Sequence, residues 1–333
     1  MKSYLPSENA KIQVSTSGRL HMGFFDLHGG LGRKFGSIGL SLSSPSLVVE
    51  ATYAKLFEIK ASTTVVTKAV IITESFMAKL SLKGSVALTI QQNIPQHSGL
   101  GSGTQLALAI GRAISELYAL NLTTAEIAQM TGRGVRSGIG IAAFDKGGLL
   151  IDGGRAVVQN HNDFNIPPLL ARYEFPAEWR ILLISDSSLP GMHGDEERLA
   201  FEQLPEFPED IAAHLCRQVL MRTMPALVEQ DLNAFGQSIQ FLQSHVGDYF
   251  APAQGGRYAS KKVGAVLEYL ERLGVSCFGQ SSWGPTGFAV FENMYQAEQH
   301  LHKIKAAFMD QALSYMICSG NNQAAIISQL HPV

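Results

Sequence analysis

The chain has 333 residues, of which 46% are hydrophobic and 16% are charged, so it is long enough for a large core and suits two domains. Its 26 Lys and Arg residues nearly balance 28 Asp and Glu residues, for a formal net charge of −2. This balance argues against a surface that binds nucleic acid or an acidic membrane, and we expect neither as a partner.

The first half of the chain mixes strands and helices, and we assign residues 1–165 to an N-terminal domain. Apolar residues at helical spacing predict helices over Val65–Leu80 and Leu106–Leu120. Short runs rich in β-branched and aromatic residues predict strands at Ile12–Thr16, Leu47–Thr52, Leu56–Ala61, Val86–Gln92 and Leu149–Asp152.

A proline-containing segment from residue 160 to 178 predicts the crossing to a second domain, which we assign to residues 166–333. A strand over Ile181–Ser185 opens this half. Helices are predicted near residues 195–203, 207–228, 231–246, 258–273 and 294–308. Further strands are predicted at Ser276–Phe278, at Phe288–Phe291, and near residues 314–318 and 324–328. This alternation indicates an α+β fold.

Cysteine usage and hydropathy favour a cytoplasmic protein. Cys216, Cys277 and Cys318 are far apart and form no Cys-x-x-Cys pair, which is typical of reduced thiols. The stretch from Met1 to Val14 lacks the continuous apolar run of a signal peptide. No segment reaches the roughly 18 uninterrupted apolar residues that predict a transmembrane helix.

The stretch from Pro95 to Gln105 carries the strongest functional signal. It reads Pro-Gln-His-Ser-Gly-Leu-Gly-Ser-Gly-Thr-Gln and lies between a predicted strand and a predicted helix. Glycines allow a tight turn close to a ligand, and the amides and dipole of the following helix favour an anion. We therefore predict a phosphate or pyrophosphate site. Its candidate ligand-binding residues are Ser98, Gly99, Gly101, Ser102, Gly103 and Thr104.

Spacing excludes two familiar phosphate-binding motifs here. A dinucleotide-binding fingerprint counted from Gly99 requires glycine where Thr104 stands, and a P-loop requires a lysine that this loop lacks. The loop is therefore a different phosphate cradle.

Four further motifs accompany the loop: Ser17–Leu27, Arg133–Gly140, Gly191–Glu197 and Gly279–Thr286. With these motifs the chain resembles the GHMP kinase superfamily and, within it, the β-ribofuranosylaminobenzene 5′-phosphate synthase family. The loop at Pro95–Gln105 is similar to the superfamily's phosphate-binding motif, and the last of the four motifs stands where its C-terminal glycine motif would.

This resemblance implies a two-domain GHMP-kinase-like fold of the α+β class. It also implies a reaction in which 5-phosphoribosyl 1-diphosphate and 4-aminobenzoate or 4-hydroxybenzoate give a C-riboside phosphate, carbon dioxide and diphosphate. That reaction belongs to tetrahydromethanopterin biosynthesis. The implied cofactor is Mg²⁺, the implied partners are these two small molecules, and the implied assembly is a homodimer.

One departure from the kinase pattern favours the synthase branch. Many kinases of the superfamily carry Ser-Gly-x-Asp, with an aspartate that acts on the substrate hydroxyl. Here Ser137, Gly138 and Ile139 are followed by Gly140. A glycine cannot accept a proton, so the phosphoryl-transfer chemistry lacks its base.

Residue types suggest the roles within the site. Arginine binds phosphates and carboxylates in two-point fashion, and we assign catalytic roles to Arg19, His21, Arg133 and Glu197. Asp26 and Asp152 are the predicted magnesium ligands, and Trp283 is expected to stack on the aromatic ring. The other predicted substrate-binding residues are Ser17, Arg33, Arg136, Ser137, Gly138, His193, Gln280, Ser281 and Thr286.

Each assignment has a structural alternative. The arginines are also expected in ordinary surface contacts, His21 as a hydrogen-bonded interior histidine, and Trp283 as a core residue between domains. For the carboxylates the structural role is the favoured alternative. At the level of function, the alternatives are an ATP-dependent small-molecule kinase and a non-catalytic metabolite-binding regulator.

Overall fold

The computed structural model describes residues 10–157, 165–189, 191 and 195–330, without the side chains of residues 195–198. In this part of the chain no helix combines the length and the apolar character that a membrane span requires. The strands are β1 (Lys11–Asp26), β2 (Arg33–Lys34), β3 (Gly36–Ala54), β4 (Glu58–Lys60), β5 (Ser85–Gln92), β6 (Leu149–Asp152), β7 (Arg155–Ala156), β8 (Leu169–Tyr173), β9 (Arg180–Asp186), β10 (Phe278–Gln280), β11 (Gly287–Phe291), β12 (Leu313–Cys318) and β13 (Ile326–Leu330).

The helices include one long buried helix in the first half and a group of amphipathic helices in the second. They are α1 (Thr63–Lys79), α2 (Ser102–Leu117), α3 (Thr124–Met130), α4 (Ile139–Lys146), α5 (Asp195–Gln203), α6 (Glu209–Gln218), α7 (Met224–Val228), α8 (Leu232–Gln254), α9 (Lys261–Arg272) and α10 (Met294–Ala307). A π-helical segment, Val219–Thr223, joins α6 to α7. The structure therefore contains both helices and sheets, as the predicted α+β class requires.

A seven-stranded sheet contains most of the strands of the first half of the chain. Its strands follow the order β13–β1–β3–β5–β4, and β6 and β8 extend it from β3. The long β1 and β3 pair antiparallel from Lys11 opposite Thr52 to Asp26 opposite Gly36, with register shifts near Ser17 and His21. Such irregularities bend a strand and redirect its side chains, and here they occur in the segment that faces the glycine loop.

The second sheet has four antiparallel strands in the order β10–β11–β9–β12. Side chains alternate along β9 because successive residues of a strand point to opposite faces. Leu182 and Ile184 pack with residues of α9 and α10, whereas Ile181 and Leu183 join the main core that continues into the first half. The second sheet therefore has buried residues on both faces.

Helix α2 positions the glycine loop. It packs against β1, β3 and three neighbouring helices, and almost every residue from Leu106 to Leu117 is buried. Its buried Gln105 accepts a hydrogen bond from Thr16 Oγ1 (2.7 Å) and donates one to the carbonyl oxygen of Gly140 (2.8 Å). One amide thus holds the start of α2 to β1 and to α4.

Most predicted elements are confirmed, and the exceptions have physical causes. The predicted strand Ile12–Thr16 continues through the Ser17–Leu27 motif to Asp26, because β3 supplies a pairing partner along its whole length. The strand predicted at Ser276–Phe278 instead begins at Phe278 and includes Gly279 and Gln280, which pair with β11. The predicted crossing at 160–178 contains β8, and residues 158–164 lie outside the described part.

The strands β8 and β13 both belong to the first sheet, although they follow residue 166 in the chain. The last described strand returns to β1, where Lys11 lies opposite Leu330. The division at residues 165 and 166 stays a prediction.

We predict that Gln105→Leu lowers the free energy of unfolding by about 2–4 kcal/mol, because it leaves the Thr16 hydroxyl and the Gly140 carbonyl buried without their partner. Urea unfolding followed by circular dichroism measures the change. Gln129→Leu is the control, since Gln129 is exposed on α3 and we expect a change within about 0.5 kcal/mol. Equal stability of the two variants would contradict the structural role of Gln105.

Candidate active site

The two glycine motifs meet backbone to backbone. A Cβ atom on Gly99 would lie 2.4 Å from the carbonyl oxygen of Ser281 and 2.9 Å from Cα of Gly284. The Ser281 hydroxyl donates to the carbonyl oxygen of Gly99 (2.8 Å) and accepts from the amide of His21 (3.0 Å). The amide of Ser282 in turn donates to the carbonyl oxygen of His21 (3.0 Å). These contacts join β1, the glycine loop and the Gly279–Thr286 motif into one unit.

A cavity of about 380 Å³ opens beside this junction. The N-terminus of α2 forms one side, where Gly101 caps the helix in a left-handed conformation (φ 80°). The dipole of a helix favours an anion at this end. The cavity lining combines both glycine motifs with basic side chains: Arg19, Lys68, Gln96, His97, Gly99, Gly101, Ser102, Gly103, Thr104, Arg133, Ser282, Trp283 and Gly284.

Basic side chains approach the cavity from three elements. Arg19 on β1 donates through Nη1 to the carbonyl oxygen of Gly99 (2.6 Å). Arg133 follows α3, with its Nη1 3.6 Å from the position of a Cβ atom on Gly103, and burial lowers its pKa. Lys68 comes from α1. Because the described lining contains no Asp or Glu, the cavity favours an anion.

His21 is a neutral imidazole that lines a separate cavity of about 20 Å³, and Ser282 lines both cavities. Burial, Arg19 and then Arg136 lower its pKa to about 3, against a backbone interaction that raises it. Neither ring nitrogen has a hydrogen-bond partner among the described residues, and the ring packs on Phe24 with centroids 4.5 Å apart. A buried polar group without a partner is costly, so the predicted hydrogen-bonded interior histidine does not match this geometry.

An aromatic cluster adjoins the cavity. Trp283 is 3% exposed and packs on Phe250 at 4.2 Å and against Phe201 at 5.3 Å between ring centroids. The Arg136 guanidinium lies 4.7 Å from the centroid of Phe201, a cation–π distance. Trp283 is therefore a core residue that also lines the cavity, and its indole N–H has no partner among the described residues.

Asp152 is committed to the fold. Its Oδ2 accepts from Ser37 Oγ (2.8 Å), Ser137 Oγ (2.9 Å) and the amide of Gly138 (2.7 Å), and its Oδ1 accepts from the amide of Gly154 (3.0 Å). Burial is the largest influence on this carboxyl and raises its pKa, while these hydrogen bonds act in the opposite direction. Four donors leave little room for a metal ion.

The other predicted metal ligand, Asp26, closes a turn at the end of β1. Its Oδ1 accepts from the amides of His28 and Gly29, each at 3.0 Å. Neither Asp26 nor Asp152 lines the cavity. Within the described part of the chain, no cluster of three or more His, Cys, Asp and Glu side chains could hold a metal ion.

Several predicted binding residues do not line this cavity and make hydrogen bonds elsewhere. Arg33 donates to the carbonyl oxygens of Gly153 (2.7 Å) and Gly154 (2.5 Å), and Ser98 donates to that of Pro95 (2.8 Å). The same holds for Ser17, bound by Asn321 at 3.3 Å, for Gln280, bonded to Ser282 at 2.7 Å, and for Thr286, 3.4 Å from Ser185. His193 lies outside the described residues, and so does the side chain of Glu197, which belongs to α5.

The space around Gly140 is closed. A Cβ atom at this position would lie 3.0 Å from Cγ2 of Thr104, which is tighter than an ordinary van der Waals contact. A side chain on residue 140 thus requires Thr104 to move. Where the kinases carry an aspartate, Thr104 of the glycine loop packs against Gly140.

The structure adds cavity residues that the sequence did not indicate: Lys68, Gln96, His97, Ser282 and Gly284. Gln96 and His97 lie in the glycine loop, and Ser282 and Gly284 lie in the Gly279–Thr286 motif. Their proximity to glycines in the sequence could therefore have identified them. Lys68 is one of several polar residues on α1, and its position at the cavity depends on how that helix packs.

Comparisons with known proteins identify the family of the chain. Residues 64–148 match the family described as GHMP kinases N terminal domain, and residues 223–310 match GHMP kinases C terminal. The chain is 34% identical over 289 residues to the β-ribofuranosylphenol 5′-phosphate synthase of Archaeoglobus fulgidus, covering 85% of this chain and 88% of the relative. The enzyme of the same name from Methanocaldococcus jannaschii is 34% identical over 299 residues, with 83% and 88% covered.

A solved homoserine kinase from Cytophaga hutchinsonii shares the fold. It superposes with a TM-score of 0.64 at 14% identity, covering 98% of this chain and 100% of the kinase chain. This likeness confirms the predicted two-domain GHMP-kinase-like fold.

We predict that Gly101→Val weakens the binding of inorganic pyrophosphate at least tenfold. Its φ of 80° suits glycine, and a Cβ atom would lie 3.2 Å from Arg19 Cγ, so a branched side chain strains the loop and displaces the arginine. Isothermal titration calorimetry measures the affinity. Gly274→Val is the matched control, because Gly274 has φ 83° with no atom within 4 Å and lies outside the cavity. Native affinity in folded Gly101→Val would remove the loop from the anion site.

Proposed function

Because the chain belongs to the β-ribofuranosylphenol 5′-phosphate synthase family, we propose that it joins 5-phosphoribosyl 1-diphosphate to a 4-substituted benzoate. The products are a C-riboside 5′-phosphate, carbon dioxide and diphosphate. The relatives' names specify a phenol, which favours 4-hydroxybenzoate as the acceptor over 4-aminobenzoate. The pathway is the biosynthesis of tetrahydromethanopterin.

One observation carries this proposal: Arg19 and Arg133 converge with the N-terminus of α2 on a cavity whose described lining contains no carboxylate. Positive groups and backbone amides in a partly enclosed site stabilise a departing diphosphate, because negative charge develops there as the bond breaks. The cavity therefore suits the leaving group of the phosphoribosyl donor.

The reaction then proceeds by attack of the aromatic ring on the sugar. As the bond between C1 and the diphosphate oxygen breaks, its electron pair leaves with the diphosphate, and C1 acquires oxocarbenium character. The ring carbon that bears the carboxylate supplies the electron pair of the new carbon–carbon bond. Loss of carbon dioxide returns the electrons of the carboxylate bond to the ring and restores its aromaticity. This sequence needs anion stabilisation more than a strong base.

His21 and Arg136 suit the benzoate that accepts the ribosyl group. His21 stays neutral near physiological pH because its pKa is lowered to about 3, so one ring nitrogen remains a hydrogen-bond acceptor. We assign it to the 4-hydroxyl or 4-amino group of the ring. Arg136 interacts electrostatically with His21 and lies over Phe201, and we assign it to the benzoate carboxylate.

Mg²⁺ remains part of the proposal as a counter-ion of the diphosphate. Asp26 and Asp152 accept hydrogen bonds from the backbone and from buried hydroxyls, so they do not fit the predicted role of metal ligands. No step above depends on a metal held by these residues. We further propose a homodimer in the cytoplasm that binds small molecules and not nucleic acid.

The alternative functions have less support. The kinase reaction would need an aspartate at position 140, where this chain has Gly140. Thr104 packs where the side chain of that aspartate would begin. A non-catalytic regulator leaves the cluster of basic side chains and the neutral His21 without a chemical role.

We predict that carboxyl-labelled 4-hydroxybenzoate releases labelled carbon dioxide only in the presence of 5-phosphoribosyl 1-diphosphate, with one diphosphate formed per carbon dioxide. The stoichiometry follows because each new carbon–carbon bond expels one diphosphate from the sugar and one carbon dioxide from the ring. Radiometric trapping and a diphosphate assay measure both products, and labelled 4-aminobenzoate in parallel identifies the acceptor. Chelation of Mg²⁺ is expected to suppress both products together. A ribosylated product that retains the label would contradict carbon–carbon bond formation, and ADP formation coupled to an acceptor alcohol would favour the kinase.

We also predict that Arg133→Lys lowers kcat/KM by about 10–100-fold. Lysine keeps the charge, but its ammonium cannot make the planar two-point contact of a guanidinium with a phosphate. Arg217→Lys is the control, because Arg217 is exposed on α6 and lies outside the cavity. Steady-state kinetics with varied 5-phosphoribosyl 1-diphosphate makes the comparison, and unchanged kinetics in Arg133→Lys would exclude Arg133 from the donor site.

A further inference from the structure

Lys68 occupies a specific place at the edge of the cavity. Its Nζ lies 3.0 Å from Oε1 of Gln96 and 3.0 Å from Nε2 of His97. Both partners belong to the first turn of the glycine loop, whereas Lys68 belongs to α1. The side chain therefore connects the helix to the loop at the point where the loop enters the cavity.

The chemistry of the two contacts leaves donor capacity on Lys68. An ammonium group has three N–H donors and no acceptor, and Gln96 and His97 account for two of them. Because an ammonium can only donate, Nε2 of His97 is the acceptor in this contact. One N–H of Lys68 remains for another acceptor.

The positive charge of Lys68 is not neutralised by its neighbours. Among the described residues no carboxylate is within ion-pairing distance of Nζ, and across the cavity stands Arg133. Burial, followed by repulsion from Arg133, lowers the pKa of Lys68. Arg19 is the other cationic side chain in the cavity lining. Cations held near one another in this way favour an anion between them.

We infer that Lys68 is a ligand-binding residue of this cavity, which donates to the diphosphate while Gln96 and His97 hold its ammonium group in place. The inference rests on the proposed function in one respect, that a diphosphate is the ligand. It adds a third basic contact, supplied by α1, to those of Arg19 and Arg133.

Titration of the whole protein with inorganic pyrophosphate tests this role. We expect Lys68→Met to raise the Kd for pyrophosphate tenfold or more, because a charge-assisted hydrogen bond is lost, and Lys68→Arg to have a smaller effect at neutral pH. Lys79→Met is the matched control: Lys79 lies on the same helix, and its Nζ donates to the carbonyl oxygen of Met130, which is not among the residues that line the cavity.

The pH dependence separates ligand binding from a structural role. Ionisation of pyrophosphate affects every variant equally, so the ratio of the Kd of Lys68→Met to that of the unmodified protein isolates Lys68. This ratio is expected to be largest at neutral pH and to fall toward one as Lys68 of the unmodified protein loses its proton. A neutral lysine still has N–H groups for Gln96 and His97, so a purely structural role would give a ratio that does not change with pH.

The outcomes distinguish this inference from the proposed function. If the unmodified protein does not bind pyrophosphate, the diphosphate cavity itself is wrong. If it binds pyrophosphate and Lys68→Met binds equally well at every pH, or with a ratio that is independent of pH, the role of Lys68 is wrong. If Lys68→Met fails to fold, the comparison passes to Lys68→Arg, whose affinity relative to the unmodified protein must improve as pH rises, because a guanidinium keeps its charge.

Discussion

The close approach of Gly99 and Gly284 is the contact on which the site depends. A Cβ atom on Gly284 would lie 2.4 Å from the amide nitrogen of Gly99, so each position excludes every side chain. The hydroxyl of Ser281 and the backbone of His21 then complete the junction with hydrogen bonds. Through this contact the second sheet holds the glycine loop in place, and neither half of the chain forms the cavity alone.

Uncompensated polar groups concentrate around the same junction. Buried nitrogens without a partner among the described residues occur on His21, Arg133 and Trp283. Leaving a buried donor or acceptor unpaired costs about 1–3 kcal/mol each, a cost that a fold under selection for stability alone would avoid. A ligand that brings oxygen atoms to these groups relieves that cost, which couples stability of the region to ligand binding.

The site illustrates how one fold supports different reactions. The glycine loop and the N-terminus of α2 line the cavity, while Gly140 offers no proton acceptor and Thr104 takes up the adjoining space. Fold alone does not determine chemistry. Here the chain keeps the domains of the GHMP kinases, and its departure from the kinase pattern lies at Gly140.

The sequence by itself determined the fold family and most helices and strands, because these depend on local periodicity and on motifs at short spacing. The anion site in the glycine loop stays a prediction. The sequence also indicated Arg19 and Arg133. Three matters were decided only by tertiary structure: the long pairing of β1 with β3, the commitment of Asp152 to buried hydrogen bonds, and the arrival of Lys68 at the cavity. Each depends on residues far apart in the chain, such as Ser37 for Asp152 and His97 for Lys68. A residue's local pattern does not specify which distant groups the fold will bring into contact with it.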